Sequence, residues 1–207
     1  MEKTQLLDEF KKEVEKCRRC PLYKTRTKVV FGTGSAGAKL MVISEAPGYW
    51  EDQKGEPFVG AAGKVLDELL ESVGIKREDV YICNILKCRP SNNRDPQPEE
   101  IEACVPYLEK QIEIIRPEVI CSLGNFATDF IFKKYNLRDK LEGISKIHGK
   151  VFEPQVAAED VQSSLFEQKR RGIKEVKIIP FYHPAVATYN PNMKEVLKED
   201  FKVLKNL

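Results

Sequence analysis

The chain has 207 residues, enough for one domain with some to spare, and 34 basic against 32 acidic side chains leave a net charge of +2. That balance excludes a histone-like polycation or an acidic tail, while leaving room for a local patch that binds nucleic acid. Apolar residues at 42% suit a soluble globule, and no run of apolar residues is long enough to span a membrane. Charged residues at 32% exceed the usual quarter or so, and the Lys/Glu richness hints at a thermophilic source. The opening MEKTQLLDEF lacks the apolar core of a signal peptide, so the cytoplasm is the expected location.

Along the chain, Leu6, Phe10, Val14 and Cys17 recur at helical spacing and predict a helix over 5–17 that stops at Cys20-Pro21. The run LMVIS (40–44) reads as a buried strand broken by Ala46-Pro47-Gly48. Val65, Leu66, Leu69, Leu70 and Val73 form a helical stripe closed by Gly74. A second strand is expected over 80–87, then a loop of turn formers over 89–98. Pro98-Glu99-Glu100 suits the first turn of a helix whose buried stripe includes Cys104. A third strand over 118–124 precedes a helix over 125–135, and a hairpin is expected around 147–153, with His148 an ordinary residue within it. Residues 155–173 read as a charged insertion, 176–182 as the last strand, and Met193 to Leu204 as a final amphipathic helix. Strands alternating with helices predict a single α/β domain, a parallel sheet between helical layers, spanning 1–207 with an N-terminal arm over 1–30.

Six cysteines in a chain without a secretion signal point to metal binding before disulfides. Cys17-Arg-Arg-Cys20 has the spacing of a two-thiolate clip, and Cys88 and Cys104 could complete a set of four. The pattern matches neither a ferredoxin run nor a zinc ribbon, so iron–sulfur and structural zinc both remain open on spacing alone. Cys83 and Cys121 lie inside apolar runs and read as buried free thiols.

In a doubly wound sheet, functional groups gather beyond the carboxyl ends of the strands. Here those ends carry Ser44-Glu45-Ala46, Asn84, Gly124-Asn125 and His183, with Phe58 in a nearby glycine-rich segment. Each has an ordinary structural reading taken singly. Together they place an acid, an amide, an aromatic and an imidazole on one rim, where unused polar groups would cost free energy.

These segments also carry a resemblance. Cys17-x2-Cys20, then SEAPGYWED with GEPFVG, then CNILKCRP with Cys104 beyond it, and finally HPAV resemble the family 4 uracil-DNA glycosylases, the iron–sulfur branch of that superfamily. The resemblance implies a four-stranded parallel sheet, and a [4Fe–4S] cluster held by Cys17, Cys20, Cys88 and Cys104; because hydrolysis needs no redox chemistry, the cluster is expected to be structural, stapling the N-terminal arm to the Cys88 loop and the Cys104 helix. It implies hydrolysis of the N-glycosidic bond of uracil in DNA after the nucleotide is flipped into a pocket. Asn84 would read the uracil edge, since one amide offers a donor and an acceptor. Phe58 would stack on the ring, and Ser44, Glu45 and Ala46 would line the pocket. His183 would donate to the developing anion at uracil O2. Glu45 is the candidate to position water, with Glu51 and Asp52 behind it, because related families carry an Asp where this chain has Ala46. The family usually has Gly where this chain has Ser44. Tyr49 or Glu51 is expected to exclude the thymine methyl, and Tyr189 to wedge into the DNA stack.

Residues 11–28 hold an excess of six positive charges, a candidate contact for DNA phosphates. The expected partner is uracil-containing DNA, single- or double-stranded, bound by a monomer, and a sliding clamp has no support in the sequence. The rival reading is a non-catalytic nucleic-acid-binding module of the same fold with a structural zinc. A ferredoxin-like electron carrier fits poorly, because it would leave the polar rim idle.

Overall fold

The computed structural model describes residues 2–154 and 176–206, so the charged segment expected over 155–173 lies outside the described residues. Five strands form one sheet: β1 (Thr33–Gly34), β2 (Leu40–Ser44), β3 (Tyr81–Asn84), β4 (Val119–Leu123) and β5 (Lys177–Phe181), in the order β1-β3-β2-β4-β5. β3, β2, β4 and β5 are mutually parallel, as expected. β1 is an antiparallel edge of two residues, too short to show any alternation in sequence. Pro180 sits on the other edge strand, where a missing N–H costs no ladder bond.

Helices α1 (Lys3–Glu15), α2 (Tyr49–Lys54), α3 (Ala61–Ser72), α4 (Pro98–Ile115), α5 (Gly124–Lys134), α6 (Ile144–Ile147), α7 (Val186–Tyr189) and α8 (Asn192–Phe201) complete the described fold. The strand pleat sorts its side chains into two cores. Met41, Ile43, Cys83, Ile120 and Ile178 pack with Val14, Leu108 and Phe132 of α1, α4 and α5. Their neighbours Leu40, Val42, Ile82, Cys121 and Ile179 pack with Leu66, Leu70, Leu197 and Phe201 of α3 and α8. That alternation is why the four parallel strands read as nearly continuous apolar runs: both faces are covered. Cys83 and Cys121 are buried in these cores as free thiols.

Three expectations need correction. α1 ends at Glu15, so Cys17 lies in the turn beyond the helix. The hairpin over 147–153 is absent: α6 occupies 144–147, and Phe152 bridges to Ile178 of β5 instead. The turn-forming His148-Gly149 reverses the chain, but its partner strand lies far along the sequence. His148 itself is half of a polar clasp, with Nδ1 2.8 Å from Asp200 Oδ2 of α8 and its ring against Tyr182. Among the described residues, no helix is long and apolar enough to cross a membrane.

Candidate active site

The parallel register sets Ser44 beside Asn84 at the carboxyl ends of β2 and β3. The carbonyls of Ser44 and Glu45 accept from Ile85 N–H at 2.8 Å and Leu86 N–H at 3.0 Å, which carries the chain past the sheet in a fixed path. Ser44 and Asn84 are buried, 1% and 2% exposed. Burial raises the Glu45 carboxyl above its ordinary value, and the nearby Asp95 carboxylate adds to the shift.

His183 follows β5 and lies against Gly124 at the end of β4. Its ring stacks with Phe58, centroids 5.6 Å apart. The backbone N–H of Ala185 donates to His183 Nδ1 at 3.1 Å. An N–H can only donate, so the neutral ring carries its proton on Nε2. Burial lowers the imidazolium pKa from 6.5 to about 4, the Glu51 carboxylate opposing that shift only weakly. The result is a neutral, tautomer-fixed donor.

Phe58 is buried yet holds a left-handed φ of 54°. Two features hold it there. A Cβ on Gly63 would lie 1.9 Å from the Phe58 carbonyl oxygen, so α3 approaches this loop only because residue 63 is glycine. Glu51 Oε1 accepts the N–H groups of Val59 at 3.0 Å and Gly60 at 3.1 Å, clamping the loop to α2. Glu51 Oε2 also fills the space a side chain on residue 48 would need. The Tyr49 ring is 48% exposed beneath Arg89. Asp52 is buried and accepts the Thr27 N–H through both oxygens, at 3.0 and 3.1 Å, so it ties the N-terminal arm to α2. Tyr189 ends α7 and is 75% exposed.

On the other side of β3, Cys17, Cys20, Cys88 and Cys104 line one cavity with Leu22, Ala103 and Tyr107. Among the described residues, no group of three or more His, Cys, Asp and Glu side chains is gathered to hold a single metal ion. Three of the four sulfurs receive N–H donors: Arg19 N–H to Cys17 at 3.5 Å, Arg26 Nη1 to Cys88 at 3.4 Å and Lys87 N–H to Cys104 at 3.2 Å. Burial raises the thiol pKa values of Cys20, Cys88 and Cys104, the last to about 12. The donor set suits a thiolate-bound metal cluster, whose sulfurs are stabilised by such N–H groups.

Lys87 escaped the sequence reading as a structural residue. It is 1% exposed, and its Nζ donates to the Asn84 carbonyl and Gln111 Oε1, both at 2.6 Å. Gln111 in turn donates to the Phe31 carbonyl and the Tyr81 hydroxyl. One residue thus touches Cys104 through its backbone and Asn84 through its side chain. A lysine at the end of an expected strand reads as solvent-facing, so only its place between two motif residues could have flagged it.

The sequence model of the uracil DNA glycosylase superfamily matches residues 31–205. A type-4 uracil-DNA glycosylase of Archaeoglobus fulgidus is 48% identical over 201 residues, covering 97% of this chain and 92% of that protein. One from Saccharolobus solfataricus is 46% identical, covering 96% of this chain and 85% of its own. A third, from Thermotoga maritima, is 38% identical, covering 98% and 94% respectively.

Proposed function

The chain belongs to the uracil DNA glycosylase superfamily, and on that premise we propose how its rim residues act. The protein is a DNA-repair hydrolase that removes uracil from DNA. The observation that carries the mechanism is His183, a neutral imidazole whose proton is confined to Nε2.

The flipped nucleotide enters beside Asn84, whose buried amide reads the uracil edge with one donor and one acceptor. Ser44 and Ala46 form the adjoining wall, and Phe58 covers the ring. As the C1′–N1 bond breaks, its electron pair leaves with uracil and charge builds at O2. His183 Nε2–H donates to that oxygen without giving up its proton, because a neutral imidazole is a very weak acid. Glu45 orients water toward the sugar carbon and takes up the proton it releases, a task helped by its raised pKa. Glu51 holds the Phe58 loop and, through it, the wall that keeps a 5-methyl group out, with Tyr49 the other candidate for that role. Tyr189 is the wedge that replaces the flipped base.

The four-thiol site supports a resident [4Fe–4S] cluster bound by Cys17, Cys20, Cys88 and Cys104. When bound, it would supply mechanical closure, since hydrolysis needs no electron transfer. Its ligands tie the arm over 1–30 to the segment after β3 and to α4. By this reading the protein is one domain over 1–207, acting on DNA as a monomer in the cytoplasm. The type-4 relatives disfavour a non-catalytic zinc module.

The test is a uracil-containing oligonucleotide incubated with protein and then alkali. Strand breakage at uracil with the wild type, absent with Asn84→Ala, is the expected result. An intact strand after wild-type treatment would sink the reading.

A further inference from the structure

The rim chemistry leaves unexplained an aromatic surface beside the pocket. Tyr49 and Trp50 open α2 with 48% and 59% of their surface exposed. Their rings meet edge to face at 5.1 Å. The Arg89 guanidinium lies 5.2 Å over the Tyr49 ring, and its Nε donates to Asn93 Oδ1 at 2.7 Å. The arginine is thus held by a ring and an amide. Trp50 Cδ1 stands 3.7 Å from where a Cβ on Gly60 would lie, so the surface borders the loop that carries Phe58.

Packing does not account for this arrangement, because rings placed for packing are buried. Two adjoining exposed aromatic rings beside a fixed cation suit a binding surface. Its position names the occupant. α2 begins four residues after the turn at Glu45, so a strand whose nucleotide enters the pocket must lay its neighbouring nucleotides across this rim. Flipping one nucleotide unstacks those neighbours, and aromatic faces accept any exposed base. Arg89 adds a cation for the adjoining phosphate or for the base face.

We infer that Tyr49, Trp50 and Arg89 form a stacking platform for unpaired bases beside the extruded uracil, which makes single-stranded uracil DNA a favoured substrate. This rests on the glycosylase reading. Trp50 is the only tryptophan in the chain, so intrinsic fluorescence reports on the platform alone. Uracil-free oligodeoxythymidylate is titrated while the anisotropy of a labelled copy follows binding.

Saturable quenching of Trp50 in step with the anisotropy is expected. Trp50→Ala should weaken single-strand binding roughly tenfold or more, Trp50→Phe much less, and duplex binding should suffer less than single-strand binding. Unchanged emission while the anisotropy reports saturation would overturn the platform. So would an equal loss for single and double strands, or a Trp50→Phe defect as large as that of Trp50→Ala. Should Trp50→Ala lower the melting temperature, the quenching of the wild type still decides. Uracil release by the wild type is followed on a separate uracil strand. Failure there would refute the glycosylase reading, while the quenching judges the platform independently.

Discussion

The strand rim and the four-thiol site lie on either side of the segment 84–88 and are built in opposite ways. The rim gathers its polar side chains at or just past the carboxyl ends of parallel strands: backbone ladders fix Ser44 and Asn84, and the Ala185 N–H holds His183 two residues beyond β5, before any ligand arrives. The thiol site draws on a turn after α1, a loop after β3 and one helix, three segments that no sheet aligns. Three of their four sulfurs are held by single N–H donors from Arg19, Arg26 and Lys87. A preorganised pocket needs scaffold, whereas a metal site can borrow its order from the metal. The two should therefore fail differently.

The largest expected effect falls on the rim. His183→Ala removes the hydrogen bond to the leaving anion, and the turnover of uracil DNA should drop about 10²- to 10³-fold. Its melting temperature and iron content should stay near those of the wild type. A simultaneous loss of iron would show that the two regions are not separate.

Cys104→Ser should do the reverse. It removes one of four thiolates and leaves the Lys87 N–H without its sulfur. Metal binding contributes folding free energy, so thermal unfolding should shift down by about 10 °C or more, with iron lost by metal analysis. Retained stability without iron would break the proposal that the cluster is structural.

Lys87→Met tests the bridge between them. The backbone N–H to Cys104 survives, while the two 2.6 Å bonds to the Asn84 carbonyl and Gln111 disappear. Hydrogen bonds made by charged groups are worth about 1.5–3 kcal/mol. A loss of roughly tenfold or more in kcat/KM, with iron retained, is the expected outcome. Iron lost along with activity would place Lys87 in the thiol site alone.

How much of this contrast the sequence carried differs between the regions. The rim was legible because strand ends are readable: LMVIS halts at Ala46-Pro47, and Asn84 and His183 interrupt or end apolar runs. The four cysteines were legible as a count and a C-x2-C spacing, but their convergence rests on the resemblance. Arg26, Asp95 and Lys87 were not identified in these roles, because a charged side chain carries no local mark of whether it faces solvent, a sulfur or a carbonyl. The two-residue β1 and the Phe152–Ile178 bridge were missed for another reason. Pairing between distant segments leaves no periodicity in either one.

Acidification separates two rim groups by sign. Burial holds the His183 pKa at about 4 against an ordinary 6.5, so the unfolded chain binds more protons within that window. The stability this group contributes is complete above pH 6.5 and is lost as pH falls toward about 4. His183→Asn should flatten that part of a melting-temperature profile. Catalysis should also fail on acidification, through Glu45, whose pKa is raised by burial and whose protonated form cannot accept a proton from water. An acid limb of kcat that persists unchanged in residual activity of Glu45→Gln would remove Glu45 from the water-activating role.

The smallest effect divides the basic segment over 11–28 between the two regions. Arg26 is committed to the Cys88 sulfur and the Glu15 carbonyl, and Arg19 lies 5.6 Å from the Tyr107 ring centroid. Lys16 and Lys28 are exposed. If the exposed lysines meet DNA phosphates, each change to alanine should lower the slope of log affinity against log salt by about 0.9 on duplex DNA. Arg26→Ala should leave that slope nearly intact and reduce the iron content instead. Equal slopes for Lys16→Ala, Lys28→Ala and the wild type would move the phosphate contact elsewhere. The excess of positive charge would then serve the thiolates, whose negative charge needs cations close by whether or not DNA is bound.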